Sequence, residues 1–170
     1  MQYQYLYAKK KKLSGWKKQE ESYMSKRRRR RIKLGDVYAI PLPGGNYAFA
    51  KVHYEEFLGF YKQRKKTIDE FVDDNEYEFF TAVYDYVLKD EVWQFIKNIP
   101  FETEKDSYAP DMCVVDAMNG KLSVYRRGEI FDAPYEVCKD LEVVAVWDEH
   151  QIVDRLMGDD KWHRDMKKVK

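Results

Sequence analysis

The chain has 170 residues with 31 Lys and Arg against 30 Asp and Glu, a length that admits one cored domain rather than two. Residues 1–33 hold 13 basic and 2 acidic side chains and the rest 18 and 28, so the formal charge of +1 conceals a basic arm of net +11 and a body of net minus 10. An apolar fraction of 44% that includes 14 Tyr, 9 Phe and 4 Trp excludes wholesale disorder, and no apolar run reaches the roughly 18 to 20 residues of a membrane span.

The N-terminus opens on Tyr3, Tyr5 and Tyr7 before Lys9 to Lys12, which is not the basic, apolar and cleavage-site order of a secretory signal. A cytoplasmic protein is expected. Lys17, Lys18 and the run Lys26 and Arg27 to Arg31 repel one another, so residues 1–31 read as a flexible or conditionally helical arm and residues 32–170 as a single domain.

In the body, residues 32–42 and 47–54 are two β-rich runs around Pro43, Gly44, Gly45 and Asn46, the pattern of a β-hairpin. Pro41 suits a strand end or edge because it has no N–H for the ladder. Gly59, Phe60 and Tyr61 suggest a short third strand, and residues 62–66 a basic connection. Ile68, Phe71 and Val72 at i, i+3 and i+4 predict a helix over residues 67–74. Residues 78–88, rich in β formers, predict a strand. Residues 90–97, with acid at the start and Lys97 at the end, predict a helix. Asn119 and Gly120 between residues 111–117 and 122–126 predict a second hairpin. Residues 141–147 read as a buried last strand, and residues 148–157 as a helix capped by Asp148 and ended by Gly158. The expected fold is α+β and mainly β: a curved or SH3-like barrel-type antiparallel sheet with two or three helices.

The chemistry legible in the sequence is sparse. Cys113 and Cys138 sit in strand-like segments and read as buried small hydrophobes. His53, His150 and His163 have no zinc-like spacing, so no metal is expected, and no motif implies a cofactor or a catalytic residue. On a helix His150 would pair with Asp154. Residues 9–31, with Trp16 and Tyr23 among the cations, could bind RNA or DNA, although the acidic body repels phosphate. The most distinctive surface is Asp69, Glu70, Asp73, Asp74, Glu76 and Glu78, six carboxylates interleaved with Phe71, Tyr77, Phe79 and Phe80, a composition suited to a basic protein partner. Asp69, Glu70, Asp73, Asp74, Glu76, Tyr77 and Glu78 are the candidate partner-binding residues, the alternative being a solvated helix face beside core aromatics.

Residues 33–52 contain Gly35, Asp36, Val37 and Tyr38, then Pro41, Leu42 and Pro43, then Tyr47, Ala48 and Phe49. This order resembles the opening of the immunity protein 26 family of bacterial polymorphic toxin systems, and Val144 to Trp147 followed by a helix is similar to that family's close. The resemblance implies a cytoplasmic, non-enzymatic protein that binds and neutralises a cognate toxin, a nuclease being one possibility that suits an acidic inhibitor. It assigns Gly35, Asp36, Pro41, Gly44, Gly45 and Trp147 to the fold. The alternative is an SH3-like nucleic-acid-binding module that contacts RNA or DNA through its basic arm.

Overall fold

The computed structural model describes residues 30–164 and Met166; the arm expected over residues 1–31 lies almost wholly outside them. The described chain is mainly β, with nine strands and three helices in an α+β arrangement. The strands are β1 Asp36–Pro41, β2 Tyr47–Val52, β3 Leu58–Tyr61, β4 Tyr77–Val83, β5 Gln94–Asn98, β6 Met112–Val115, β7 Leu122–Arg126, β8 Glu129–Asp132 and β9 Val146–Trp147; the helices are α1 Asp85–Lys89, α2 Tyr135–Cys138 and α3 Glu149–Leu156. One sheet has the order β5-β1-β2-β3-β4-β9 and the other β6-β7-β8. Its pairings are antiparallel except β4 with β9, and β5 and β9 remain edges, so the sheet is open rather than closed into a barrel.

The first hairpin forms as its sequence predicts, with Val37 opposite Lys51 and Pro41 opposite Tyr47. Gly44 and Gly45 take φ of +92° and +82° in its turn, a region that costs glycine little. Pro41 ends β1, beyond the reach of β5, whose pairing stops at Ala39. The entry to β1 is fastened by Asp36, which is fully buried and accepts from the Lys33 backbone N–H at 2.9 Å and from Asn98 Nδ2 at 2.8 Å. Gly35 precedes it at φ +82°, where a Cβ would stand 2.4 Å from the Ile99 carbonyl oxygen.

Strand periodicity divides the large sheet into two buried faces. Tyr38, Ile40, Ala50, Val52, Leu58 and Phe60 pack on one side with Trp93, Trp147, Ile152 and Leu156, and so under α3. Val37, Ala39, Phe49 and Tyr61 lie on the other, covered by Phe71. This second face explains why residues 67–74 are not the predicted helix: only Ile68–Glu70 turns, as a 3-10 helix, and Phe71 is extended so that its ring reaches the sheet.

The predicted strand over 78–88 ends at Val83, and α1 follows. The predicted helix over 90–97 is instead β5, because the free edge of β1 offers ladder partners from Asp36 to Ala39 and the core accepts Trp93. The second hairpin pairs Met112 with Tyr125 through Val115 with Leu122, and Asp116 Oδ1 organises its turn by accepting from the Met118 and Asn119 N–H groups. β8, which the sequence reading missed, extends that hairpin. The expected last strand is divided between the sheets: Glu142 and Val144 bond the Cys113 backbone, whereas Ala145 and Trp147 accept from Ala82 and Tyr84. α3 forms as predicted, with Gln151 Oε1 accepting from the Asp148 N–H at 2.8 Å. Among the described residues no helix is long and apolar enough to cross a membrane.

Candidate functional site

Phe49 and Lys51 share the parity of β2 that points at the second face of the sheet, so a lysine stands where a hydrophobe is ordinary. Lys51 is 2% exposed. Its Nζ donates to Asp73 Oδ2 at 3.0 Å and lies 4.3 Å from the centre of the Phe101 ring, a carboxylate and a π face that together offset its lost hydration. Fully buried Tyr61 donates its hydroxyl to Asp73 Oδ1 at 2.5 Å, so each oxygen of the carboxylate takes one donor. Burial, and then the bond to Asp73, raises the Tyr61 phenol far above its ordinary pKa and keeps it a neutral donor.

Local packing delivers these groups. The Phe71 ring sits 4.8 Å from that of Phe49 and 5.1 Å from that of Tyr61, which sets Asp73 two residues on above Lys51. Gly59, paired with Lys51 across the ladder, clears room for Tyr77: a Cβ there would come within 2.7 Å of that ring.

Above this network lies a cavity of about 550 Å³, of a size that takes a side chain or small ligand. Lys51 and Asp73 form part of its lining, Tyr77 and Phe101 supply aromatic walls, and Asn75, Glu102 and Asp106 contribute polar groups. Three carboxylates thus face one ammonium. Asp106 is held in place by a reciprocal capping box with Thr103.

Behind the aromatic walls is His53, 3% exposed, with ring contacts to Tyr77, Phe80 and Phe101 at 5.1, 5.0 and 4.8 Å. Neither ring nitrogen has a hydrogen-bond partner at normal geometry; weak help from the Ser107 and Tyr108 backbone offsets only part of the burial and the Lys51 charge, which together lower its pKa to about 4. The histidine is neutral at pH 7. Burial also pushes the Tyr77 hydroxyl up to about 12.

Of the seven residues singled out in the sequence, Asp73 and Tyr77 line the cavity. The others are not among its lining residues, and most are engaged by their own chain. Lys62 bonds Glu76 at 2.7 Å and Arg64 bonds Glu78 at 2.7 Å, while Asp74 accepts from Gln63 Nε2 at 3.2 Å and Glu70 from Thr67 at 2.9 Å. Asp69 is exposed on the 3-10 turn. The basic connection over residues 62–66 therefore folds beside the acidic segment and neutralises part of it.

Sequence reasoning missed Lys51, Tyr61, His53, Phe101, Glu102 and Asp106. One signal was available: Lys51 has the inward parity of an otherwise apolar strand, although nothing local reveals its partner 22 residues on. The pairing expected of His150 with Asp154 is replaced by others. Asp154 accepts from Trp162 Nε1 at 2.9 Å and pairs with Lys161 at 2.9 Å, and His150 stands edge-on to the Trp162 ring at 5.7 Å. Cys113 and Cys138 are buried free thiols, as expected; burial pushes Cys113 to about 12, with neighbouring Cys138 adding to the rise, which leaves it protonated and unreactive. No family model, curated protein or solved structure matches this chain.

Proposed function

We propose that this chain is a cytoplasmic immunity protein that binds and neutralises a cognate basic toxin of a bacterial polymorphic toxin system, without catalysis of its own. The observation that carries the reading is the cavity beside β2, where Asp73, Glu102 and Asp106 outnumber Lys51 and the rings of Tyr77 and Phe101 form walls. A cationic side chain is the complement of such a lining, since carboxylates attract it and ring faces stabilise it once it is desolvated. The resemblance of residues 33–52 to the opening of the immunity protein 26 family supports the same reading, and so does the net charge of minus 10 on residues 34–170.

In this proposal Asp73 and Lys51 preorganise the pocket, Glu102 and Asp106 meet the partner's cation beside the polar Asn75, and the exposed carboxylates of Asp69 and Asp74 steer its approach. A toxin that acts on phosphodiesters is basic where it meets its substrate, and covering that surface stops it sterically. The test is coexpression with the toxin domain encoded beside this gene, read as cell survival and as a complex that copurifies. Survival with the wild type and its loss with Glu102→Lys support the proposal; survival that does not depend on this protein refutes it.

A further inference from the structure

β8 is a sheet edge of unusual character. Its four residues Glu129, Ile130, Phe131 and Asp132 are all exposed, and the two central ones present 63% and 48% of their surface to solvent. Among the described residues β7 is the one strand paired with it. Sheet edges are ordinarily blunted by charge, proline, a bulge or shortness; β8 is short and carries an acid at each end, but its two central residues are apolar, with no proline or lysine between them.

The β7–β8 turn fixes which backbone groups are free. Arg127 and Gly128 form a two-residue loop with φ of +50° and +83°, the type I′ geometry, in which Arg126 and Glu129 are the hydrogen-bonded pair. Alternation then makes Val124 and Phe131 the next bonded pair and turns the N–H and C=O groups of Ile130 and Asp132 outward. The Ala133 N–H donating to the Leu122 carbonyl at 3.2 Å is the following member of the same series.

We propose that this edge pairs with the same edge of a second copy of the chain, antiparallel about a twofold axis, to give one continuous six-stranded sheet. Only registers that set outward-facing residues against each other are allowed. Of these, Glu129 opposite Glu129 and Asp132 opposite Asp132 set like charges face to face and are disfavoured, and Ile130 opposite Ile130 sets Glu129 of each copy against Phe131 of the other. The register with Phe131 opposite Phe131 stacks two half-exposed aromatic rings and sets Ile130 of each copy against Asp132 of the other. Asp132, which pairs with Lys121 at 2.6 Å, borders with that lysine a hollow of about 420 Å³ whose remaining lining is Leu122, Ala133, Pro134 and Tyr135. An exposed isoleucine and a hollow that can receive it thus lie two residues apart on one strand, and the twofold exchange satisfies both. This knob and hollow favour a second copy over an unrelated strand.

The experiment is sedimentation velocity of the full chain over a concentration series, with Ile130→Lys and Ile130→Pro. The proline removes an outward N–H that β7 does not use, so the ladder to β7 survives, and circular dichroism checks the fold of both variants. The expected result is a concentration-dependent dimer whose dissociation constant rises at least tenfold in each variant. Amide exchange on the wild type is the parallel readout, with protection at Ile130 and Asp132 growing with concentration. A chain that stays monomeric throughout, a dimer that survives either substitution, or unchanged protection at these two amides overturns the proposal. Strand addition seen only after another protein is added also overturns it, because the occupant is then heterologous.

Discussion

Asp73→Asn removes one negative charge from the buried network and keeps its size. Lys51 would then be an ammonium 2% exposed whose remaining compensation is the Phe101 ring at 4.3 Å and an amide dipole. Stranding one member of a buried ion pair costs about 3 to 5 kcal/mol. Asp73 retains 19% exposure, so solvent can reach the gap, and the lower end of that range applies. A loss of about 3 kcal/mol is expected, measured as the shift in urea midpoint at constant slope. Lys51→Met should cost less, about 1 to 2 kcal/mol, because Asp73 keeps the Tyr61 hydroxyl and its own access to water. The double variant should be less destabilised than the sum of the two by at least about 1 kcal/mol. A loss under about 1 kcal/mol for Asp73→Asn, or additive single effects, would refute the reasoning that the pair is an interdependent buried unit.

His53 takes up its proton near pH 4 in the folded chain and near its ordinary 6.5 when unfolded, so its neutral form stabilises the fold at pH 7 and that contribution falls as pH drops from 6.5 towards 4, by up to about 3 kcal/mol. His53→Phe should flatten the stability profile across that window, and an unchanged slope in denaturation at pH 7 and pH 4.5 contradicts the assignment. Gly35→Ala forces a Cβ to within 2.4 Å of the Ile99 oxygen at φ +82° and should cost about 3 kcal/mol; a thermal midpoint within a degree of wild type would show that the β1 entry relaxes freely. Asp36→Ala removes the acceptor of the Lys33 N–H and of one of the two bonds made by Asn98 Nδ2, which keeps the Leu34 carbonyl, with an expected loss of about 1 kcal/mol and unchanged affinity for the proposed partner in the folded fraction. Lost binding at unchanged stability would move Asp36 into the interface.

The parts of the fold written in local chemistry were legible: the Pro-Gly-Gly-Asn turn, the Asn-Gly hairpin and the Asp148 cap each depend on neighbours within a few residues. Failures occurred where a distant surface decided the outcome. Phe71 has helical spacing with Ile68, yet the uncovered face of β1, β2 and β3 draws its ring inward and straightens the chain. Residues 90–97 carry a helix-like charge gradient, but the open edge of β1, about 60 residues earlier, supplies ladder bonds that outweigh it and draw Gln94–Asn98 into the sheet. At the site, Asp73 and Tyr77 were found because acid and aromatic residues cluster in sequence. Phe101, Glu102 and Asp106 were not, because they meet that cluster only after β5 returns alongside β1 and the chain runs on past Asn98.

The role proposed for the pocket is tested most directly by surface plasmon resonance of the immobilised full chain against the basic toxin domain proposed as its partner, comparing wild type with Glu102→Lys at two salt concentrations. Glu102 is exposed at the cavity and outside the Lys51 network, so reversing it leaves the fold intact and puts a cation where the partner's cation should enter. The account predicts affinity at least tenfold weaker, about 1.4 kcal/mol, with slower association and a smaller dependence on salt. Equal affinity and equal salt dependence for the two proteins would contradict it.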